Sequence, residues 1–189
     1  LRADVPVAAY LSGGIDSCAV LGVAARLSAQ PIRAYTLSFD HQDYDERAIA
    51  EEQARLSGAE FYPIDIRSSD LADNFSDAIY HAERPFINAH CVAKYMLSRA
   101  VRDSGVRVVL TGEGSDEVLA GYPTFRRDMV LYNADHLSAE TRTRLLMELG
   151  EANRVSQGIM LPSAGGTPLA SIERVLGFVP WQRVNAYRR

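Results

Sequence analysis

The chain has 189 residues, 47% of them hydrophobic and 23% charged, with a formal net charge of -4. Those values fit a soluble globular protein built as one large domain or as a domain with an appended subdomain. They argue against an extended nucleic-acid footprint, which needs a basic surface, and no run approaches the roughly 20 apolar residues of a membrane span.

Taken in chain order, Val5 to Leu11 (VPVAAYL) is almost continuously apolar, as a parallel strand covered on both faces requires. A helix is expected from Ser17 to Leu27, and Ile32 to Phe39 (IRAYTLSF) reads as a second strand. Asp43-Tyr44-Asp45-Glu46 supplies cap and first-turn acids for a helix that Gly58 ends. Glu60 to Ile66 (EFYPIDI) predicts a weaker strand, whose Pro63 marks an edge or an irregularity. From Ser69 onward, Leu71, Phe75, Ala78, Ile79 and Ala82 recur on one helical face. A further helix over Ala89 to Ser104 precedes the strand Val106 to Leu110 (VRVVL). In the last third, Ser138 caps a helix to about Arg154, with Leu145, Leu146 and Leu149 apolar. Pro162 to Gly166 predicts a loop, and Thr167-Pro168 opens a short helix ended by Gly177.

This βαβαβ rhythm predicts an α/β fold: a doubly wound parallel sheet with helices on both faces, plus a helical C-terminal appendage. Ligands of such sheets sit at the carboxyl ends of the strands, beside a topological switch point. Two glycine-rich segments fall there. The two cysteines, Cys18 and Cys91, form neither a CxxC pair nor a disulfide framework, so reduced thiols in a cytoplasmic protein are expected. Cys18, followed by Ala19-Val20-Leu21, reads as a buried helix residue in preference to a nucleophile.

The first segment is Ser12-Gly13-Gly14-Ile15-Asp16-Ser17. Its two glycines permit close backbone approach, and their N–H groups with the start of the next helix can form an anion nest, to which Ser12 and Ser17 add hydroxyls. It has no Walker lysine, and Asp16 opposes phosphate. At about 4 Å and an effective dielectric near 20, two unit charges interact by about 4 kcal/mol. A Mg²⁺ ion between carboxylate and phosphate turns that repulsion into coordination. The bland alternative is a glycine turn with Asp16 as a helix cap. The second segment, TGEGSDE, places Thr111, Gly112, Glu113, Asp116 and Glu117 at the end of the strand expected beside the first loop. Asp116 is then placed to share a metal with Asp16, and Thr111 and Gly112 to line a nucleotide. A solvated acidic turn is the alternative.

SGGIDS is similar to the pyrophosphate-binding loop of the N-type ATP pyrophosphatases, the adenine nucleotide alpha hydrolase-like, PP-loop fold. With GEGSDEVLAGY (Gly112 to Tyr122), the sequence resembles the synthetase domain of glutamine-hydrolysing asparagine synthetases. Asp4-Val5-Pro6-Val7 and Lys94 to Arg99 agree, and the likeness runs from about Leu1 to Asn133. It implies an ATP pyrophosphatase synthetase domain over residues 1–133 and a helical, incomplete part of the same domain over residues 134–189.

The resemblance implies a chemistry. ATP adenylates the side-chain carboxylate of aspartate, giving β-aspartyl-AMP and pyrophosphate, and ammonia from glutamine displaces AMP to give asparagine. ATP and Mg²⁺ are the implied cofactors. Ser12, Gly13, Gly14, Asp16 and Ser17 match the pyrophosphate loop, and Asp16 and Asp116 the Mg²⁺ carboxylates. Leu37 matches a position whose backbone meets adenine, with Tyr10 and Leu11 nearby in the same nucleotide-contacting set. Thr111 and Gly112 match the nucleotide-contacting pair, Thr111 standing where serine is frequent. Glu113, Asp116 and Glu117 match the catalytic acids around aspartyl-AMP.

The glutaminase domain, with its terminal cysteine, and a later segment supplying a lysine lie outside these residues. Lys94 is the only lysine and falls outside that motif. The expectation is a piece of a longer enzyme, one that allows a homodimer at full length. By itself the piece binds ATP–Mg weakly and makes little asparagine. β-Lactam synthetase-like enzymes and peptide amidotransferases are rival readings. NAD synthetase, GMP synthetase and tRNA-thiolating enzymes share SGGxDS loops but not GEGSDE. A non-catalytic nucleotide-binding module is a further alternative. Arg183, Arg188 and Arg189 suit either a docking tail or a solvated terminus.

Overall fold

A computed structural model describes residues 1–41, 44–86, 88–132 and 136–153, with position 174. Contacts group the chain into two units, Leu1–Glu113 and Gly114–Arg189.

In the first unit the apolar runs form four strands: β1 (Val7–Tyr10), β2 (Arg33–Phe39), β3 (Glu60–Ile66) and β4 (Val108–Leu110). The helices are α1 (Ile15–Leu27), α2 (Arg47–Ser57), α3 (Ser68–Asp73), α4 (Phe75–Ala82) and α5 (His90–Asp103). The strand order is β3-β2-β1-β4, and every pair is parallel. Alternation along the strands divides the core in two. Ala9, Leu11 and Ala34 pack with Leu21 and Ala24 of α1 and Ala50 and Ala54 of α2. Ala8 and Tyr35 pack with Leu97 and Val101 of α5. The sheet is therefore covered on both faces, as expected of a doubly wound fold. The chain runs from β1 out to β3, then returns to place β4 on the other side of β1. Parallel crossovers are right-handed, so reversing direction moves the helices to the opposite face. The reversal leaves the switch point between β1 and β4.

β3 is an edge strand, the place in a sheet where proline is tolerated, and Pro63 lies opposite Thr36 in its register with β2. Gly58 ends α2 in the left-handed conformation, at φ 65. Other expectations need correction. Asp43 lies outside the described residues, and the first turn of α2 holds no acid. Asp45 Oδ1 instead accepts from the Arg47 N–H at 3.3 Å. The single helical face after Ser69 is divided into α3 and α4 at Asn74, whose Nδ2 donates to the Asp70 carbonyl at 2.8 Å. Such a side-chain bond competes with the helix ladder.

The second unit contains α6 (Ser115–Leu119), α7 (Pro123–Tyr132) and α8 (Ala139–Ala152). Ser138 Oγ caps α8 by accepting from the Thr141 N–H at 3.2 Å. α7 packs against α8 and was not anticipated. Its buried face carries Thr124, Arg127 and Asp128, so polarity hid the helical periodicity. The expected loop at Pro162 to Gly166, the helix after Thr167-Pro168 and the arginine tail lie outside the described residues. Among the described residues, no helix is long and apolar enough to cross a membrane.

Candidate nucleotide site

The turn between β1 and α1 is held by its own hydroxyls. The Ser12 N–H donates to Ser17 Oγ at 3.1 Å, and the Gly14 N–H to Ser12 Oγ at 3.2 Å. The two hydroxyl oxygens stand 2.9 Å apart, and Ser17 is buried. The Gly13 N–H donates to Glu46 Oε2 at 2.9 Å. Both glycine amides thus have acceptors within the chain, which narrows the expected nest. Gly14 caps α1 with no side-chain hydrogen bond, so the Ile15, Asp16 and Ser17 amides are the donors a helix start leaves open. Asp16 sits in that first turn, half-buried, its carboxylate without a hydrogen bond or ion pair among the described residues.

β4 lies beside β1, with Ala9 opposite Leu110, so Thr111, Gly112 and Glu113 leave the sheet next to the first loop. The two loops meet closely. A Cβ on Gly112 would stand 2.8 Å from the Ser17 nitrogen and 3.0 Å from the Asp16 carbonyl carbon. Backbone cannot swing aside as a flexible side chain can, so this position requires glycine. The Glu113 N–H points to Thr111 Oγ1 at 3.4 Å. The Glu113 carboxylate pairs with Lys94 of α5. The hydrogen bond from Lys94, followed by its charge, holds the Glu113 carboxyl below the usual carboxylate range; partial burial opposes this, and His90 reinforces it.

Leu11 is buried and its N–H donates to the Tyr35 carbonyl at 2.9 Å, so its side chain belongs to the core. Leu37 packs, partly buried, against the α5-side cluster. Tyr10 is tied to α5 through its hydroxyl, 3.0 Å from Ser98 Oγ.

In the second unit, Gly114 takes φ 91 and opens α6, whose first turn carries Asp116 and Glu117. A Cβ at Gly121 would collide with Asp116 Oδ1, so the bare glycine leaves room for that carboxylate. Glu117 Oε1 accepts from the Tyr122 hydroxyl at 2.8 Å. The Asp116 carbonyl accepts the Gly121 N–H at 3.0 Å, whereas its carboxylate has no hydrogen-bonded or ionic partner among the described residues. No group of three or more His, Cys, Asp or Glu side chains able to hold a metal occurs there either. A groove along α8, lined by Glu140, Met147 and Glu151 among others, includes none of the predicted site residues.

Sequence reasoning missed the roles of Glu46, Lys94, Gly121 and Tyr122. Lys94 had a signal, as the sole lysine just ahead of the acidic loop. Glu46 had none, since 33 residues separate it from Gly13 and only the fold brings them together.

Comparison with known proteins points the same way as the two loops. Amidase chyE of Penicillium rubens is 40% identical over 150 residues, 72% of this chain and 22% of that protein. Amidase chry2 of Gibberella zeae is 37% identical over the same length, with the same coverage. Glutamine-hydrolysing asparagine synthetase 1 of Bacillus subtilis is 27% identical over 169 residues, 89% of this chain and 26% of that protein. The chain therefore spans less than a third of the length of each of these relatives. The asparagine synthase family model matches residues 1–166, through both glycine-rich loops, and the chain belongs to that family.

Proposed function

We propose that this chain carries the ATP-binding, carboxylate-activating part of an amide-forming ligase, with the side chain of aspartate as first candidate substrate. The observation that supports it is the meeting of the β1 and β4 loops at the switch point, where Gly112 lies against the Asp16–Ser17 backbone. In the reaction a carboxylate oxygen attacks the α-phosphorus of ATP and pyrophosphate leaves. The nitrogen of ammonia then attacks the acyl carbon, AMP leaves with the bonding pair, and a proton is released. Ser12, Gly13, Gly14 and Ser17 shape the turn that presents the α1 amides to the departing pyrophosphate, an anion such donors suit. Thr111 and Gly112 line the nucleotide, and the main chain at Tyr10, Leu11 and Leu37 is the proposed adenine side. Glu113, held ionised by Lys94, is an acceptor ready for a proton of the attacking ammonia, and Glu117 is proposed as a second acid in the same reaction.

Asp16 and Asp116, both uncommitted carboxylates, suit a hard divalent cation that prefers one or two carboxylates plus phosphate oxygens. Bound there, Mg²⁺ would neutralise charge on the leaving pyrophosphate. Residues 1–133 are proposed as the ATP pyrophosphatase domain, with residues 134–189 continuing it. Ammonia supply from glutamine belongs to a glutaminase domain, and a homodimer and a cytoplasmic location go with that proposal.

The more similar relatives carry the name amidase, which favours a second substrate reading: amide formation on an acid other than free aspartate. Pyrophosphate release, measured on the full-length protein with ATP, Mg²⁺ and a panel of carboxylic acids, separates the two. Release dependent on aspartate supports the first reading, and release dependent on another acid the second. ATP binding without acid-dependent release across the panel overturns both.

A further inference from the structure

The Gly13 amide belongs to the turn proposed to face pyrophosphate, yet its acceptor is a carboxylate on another element, Glu46 Oε2 at 2.9 Å. We infer that Glu46 is a positioning residue, tying the Gly13 peptide to α2 so that the open amides of α1 face the phosphate. This rests on, and deepens, the ATP-binding reading above.

Three independent features make α2 a fixed support. The Glu46 carbonyl accepts the Ala50 N–H at 3.0 Å, so its backbone is held by the first turn of α2. Ala50 and Ala54 are fully buried in the cluster that contains Leu21 and Ala24 of α1. Farther along, Gln53 Nε2 reaches the Cys18 carbonyl at 3.5 Å. The contact at Gly13 is close: a Cβ there would meet Glu46 Cβ and Ile49 Cβ, each at 3.3 Å. The glycine therefore allows α2 to approach the turn, and Glu46 then satisfies the amide so exposed. A charged acceptor strengthens such a bond. With the Gly13 N–H directed at α2, the turn cannot rotate that peptide toward the ligand, and the neighbouring helix start is the part left facing outward.

A carboxylate so near a phosphate site could instead compete with the ligand, and the two roles give opposite results. Amide hydrogen exchange at Gly13 is followed by NMR in the ligand-free full-length protein, with Glu46→Ala and Glu46→Gln. Magnesium pyrophosphate binding is measured by calorimetry on the same samples. Glu46→Gln keeps a carbonyl acceptor and guards against a folding defect in the alanine variant. A tether predicts at least tenfold faster Gly13 exchange and about tenfold weaker pyrophosphate binding in Glu46→Ala, with Glu46→Gln within about threefold of wild type in both. Unchanged Gly13 exchange in Glu46→Ala overturns the inference, as does tighter pyrophosphate binding in both variants. If wild type binds no pyrophosphate while Gly13 exchange responds as stated, the tether stands and the ligase reading fails.

Discussion

Lys94 is the chain's only lysine, and it meets the first acid of the second loop. A carboxyl lowered by a cationic partner contributes stabilisation that is present above its ordinary titration range and lost as pH falls through the lowered value. The Lys94–Glu113 pair is thus intact at neutral pH and weakens only in acid. Both side chains are substantially exposed, so the pair matters more for the charge state of Glu113 than for folding. Lys94→Met is expected to move the Glu113 titration upward in carboxyl-detected NMR, and Lys94→Arg to leave it low. An unchanged midpoint in Lys94→Met would show that the pair does not form in solution. Cysteine chemistry gives a second test at this scale. Burial pushes the Cys18 thiol up, with the Glu46 charge adding to that and the Ser17 hydrogen bond opposing it, whereas Cys91 is exposed. Iodoacetamide at neutral pH should label Cys91 at least tenfold faster than Cys18, read by peptide mapping; faster labelling at Cys18 would contradict its placement. The apolar run after Cys18 predicts a buried helix residue in preference to a nucleophile; the run lies within α1, but Cys18 itself is only partly buried.

At the scale of elements, two glycines separate two kinds of requirement. Gly58 needs glycine for its backbone, with φ 65 and open space around it, so Gly58→Ala should cost about 1 kcal/mol. Gly112 needs glycine for its surroundings, because an added methyl group meets the backbone of Asp16 and Ser17. Overpacking of that sort costs about 1–3 kcal/mol. Urea denaturation should rank Gly112→Ala at or below Gly58→Ala in stability, and only Gly112→Ala should weaken nucleotide binding. Equal nucleotide affinity in both variants would mean that the two loops do not act together. Legibility follows the same division. Strands written as apolar runs, the edge signal of Pro63 and the caps Ser138 and Gly58 are local, and each is visible in a few residues. The break at Asn74 depends on one side-chain bond to Asp70, which periodicity does not register. α7 was hidden because its inward face carries Arg127 and Asp128 where apolar residues were sought. In the candidate site, the glycines and acids were readable because they lie in two contiguous motifs. Lys94 had only its being the sole lysine as a signal, and Glu46 had none, since the fold alone brings it to Gly13.

For the whole molecule, the proposal makes one cation answer to carboxylates from two loops, and linkage turns that into a measurable stability. A ligand at a hundredfold excess over its Kd stabilises the folded state by about 2.7 kcal/mol. In a chain of this size each kcal/mol moves Tm by about 2–4 °C, so saturating ATP with Mg²⁺ should raise Tm by roughly 5–10 °C. Asp16→Asn and Asp116→Asn should each remove most of the Mg²⁺-dependent part of that shift. The double variant should lose little more, because groups that hold one ion are not additive. Additive losses would indicate two separate sites, and a shift unchanged by EDTA would remove the cation from the reading. The sign of the Asp16 effect without metal is a stricter test. With no cation between them, carboxylate and phosphate repel, by about 4 kcal/mol at 4 Å and an effective dielectric near 20. Asp16→Asn should therefore bind ATP more tightly than wild type in EDTA and more weakly in Mg²⁺. Gly14, not Asp16, is the N-cap of α1. A purely structural role for Asp16 in the first turn would behave otherwise, with Asp16→Asn changing affinity in the same direction under both conditions, since a local loss of structure does not depend on the metal.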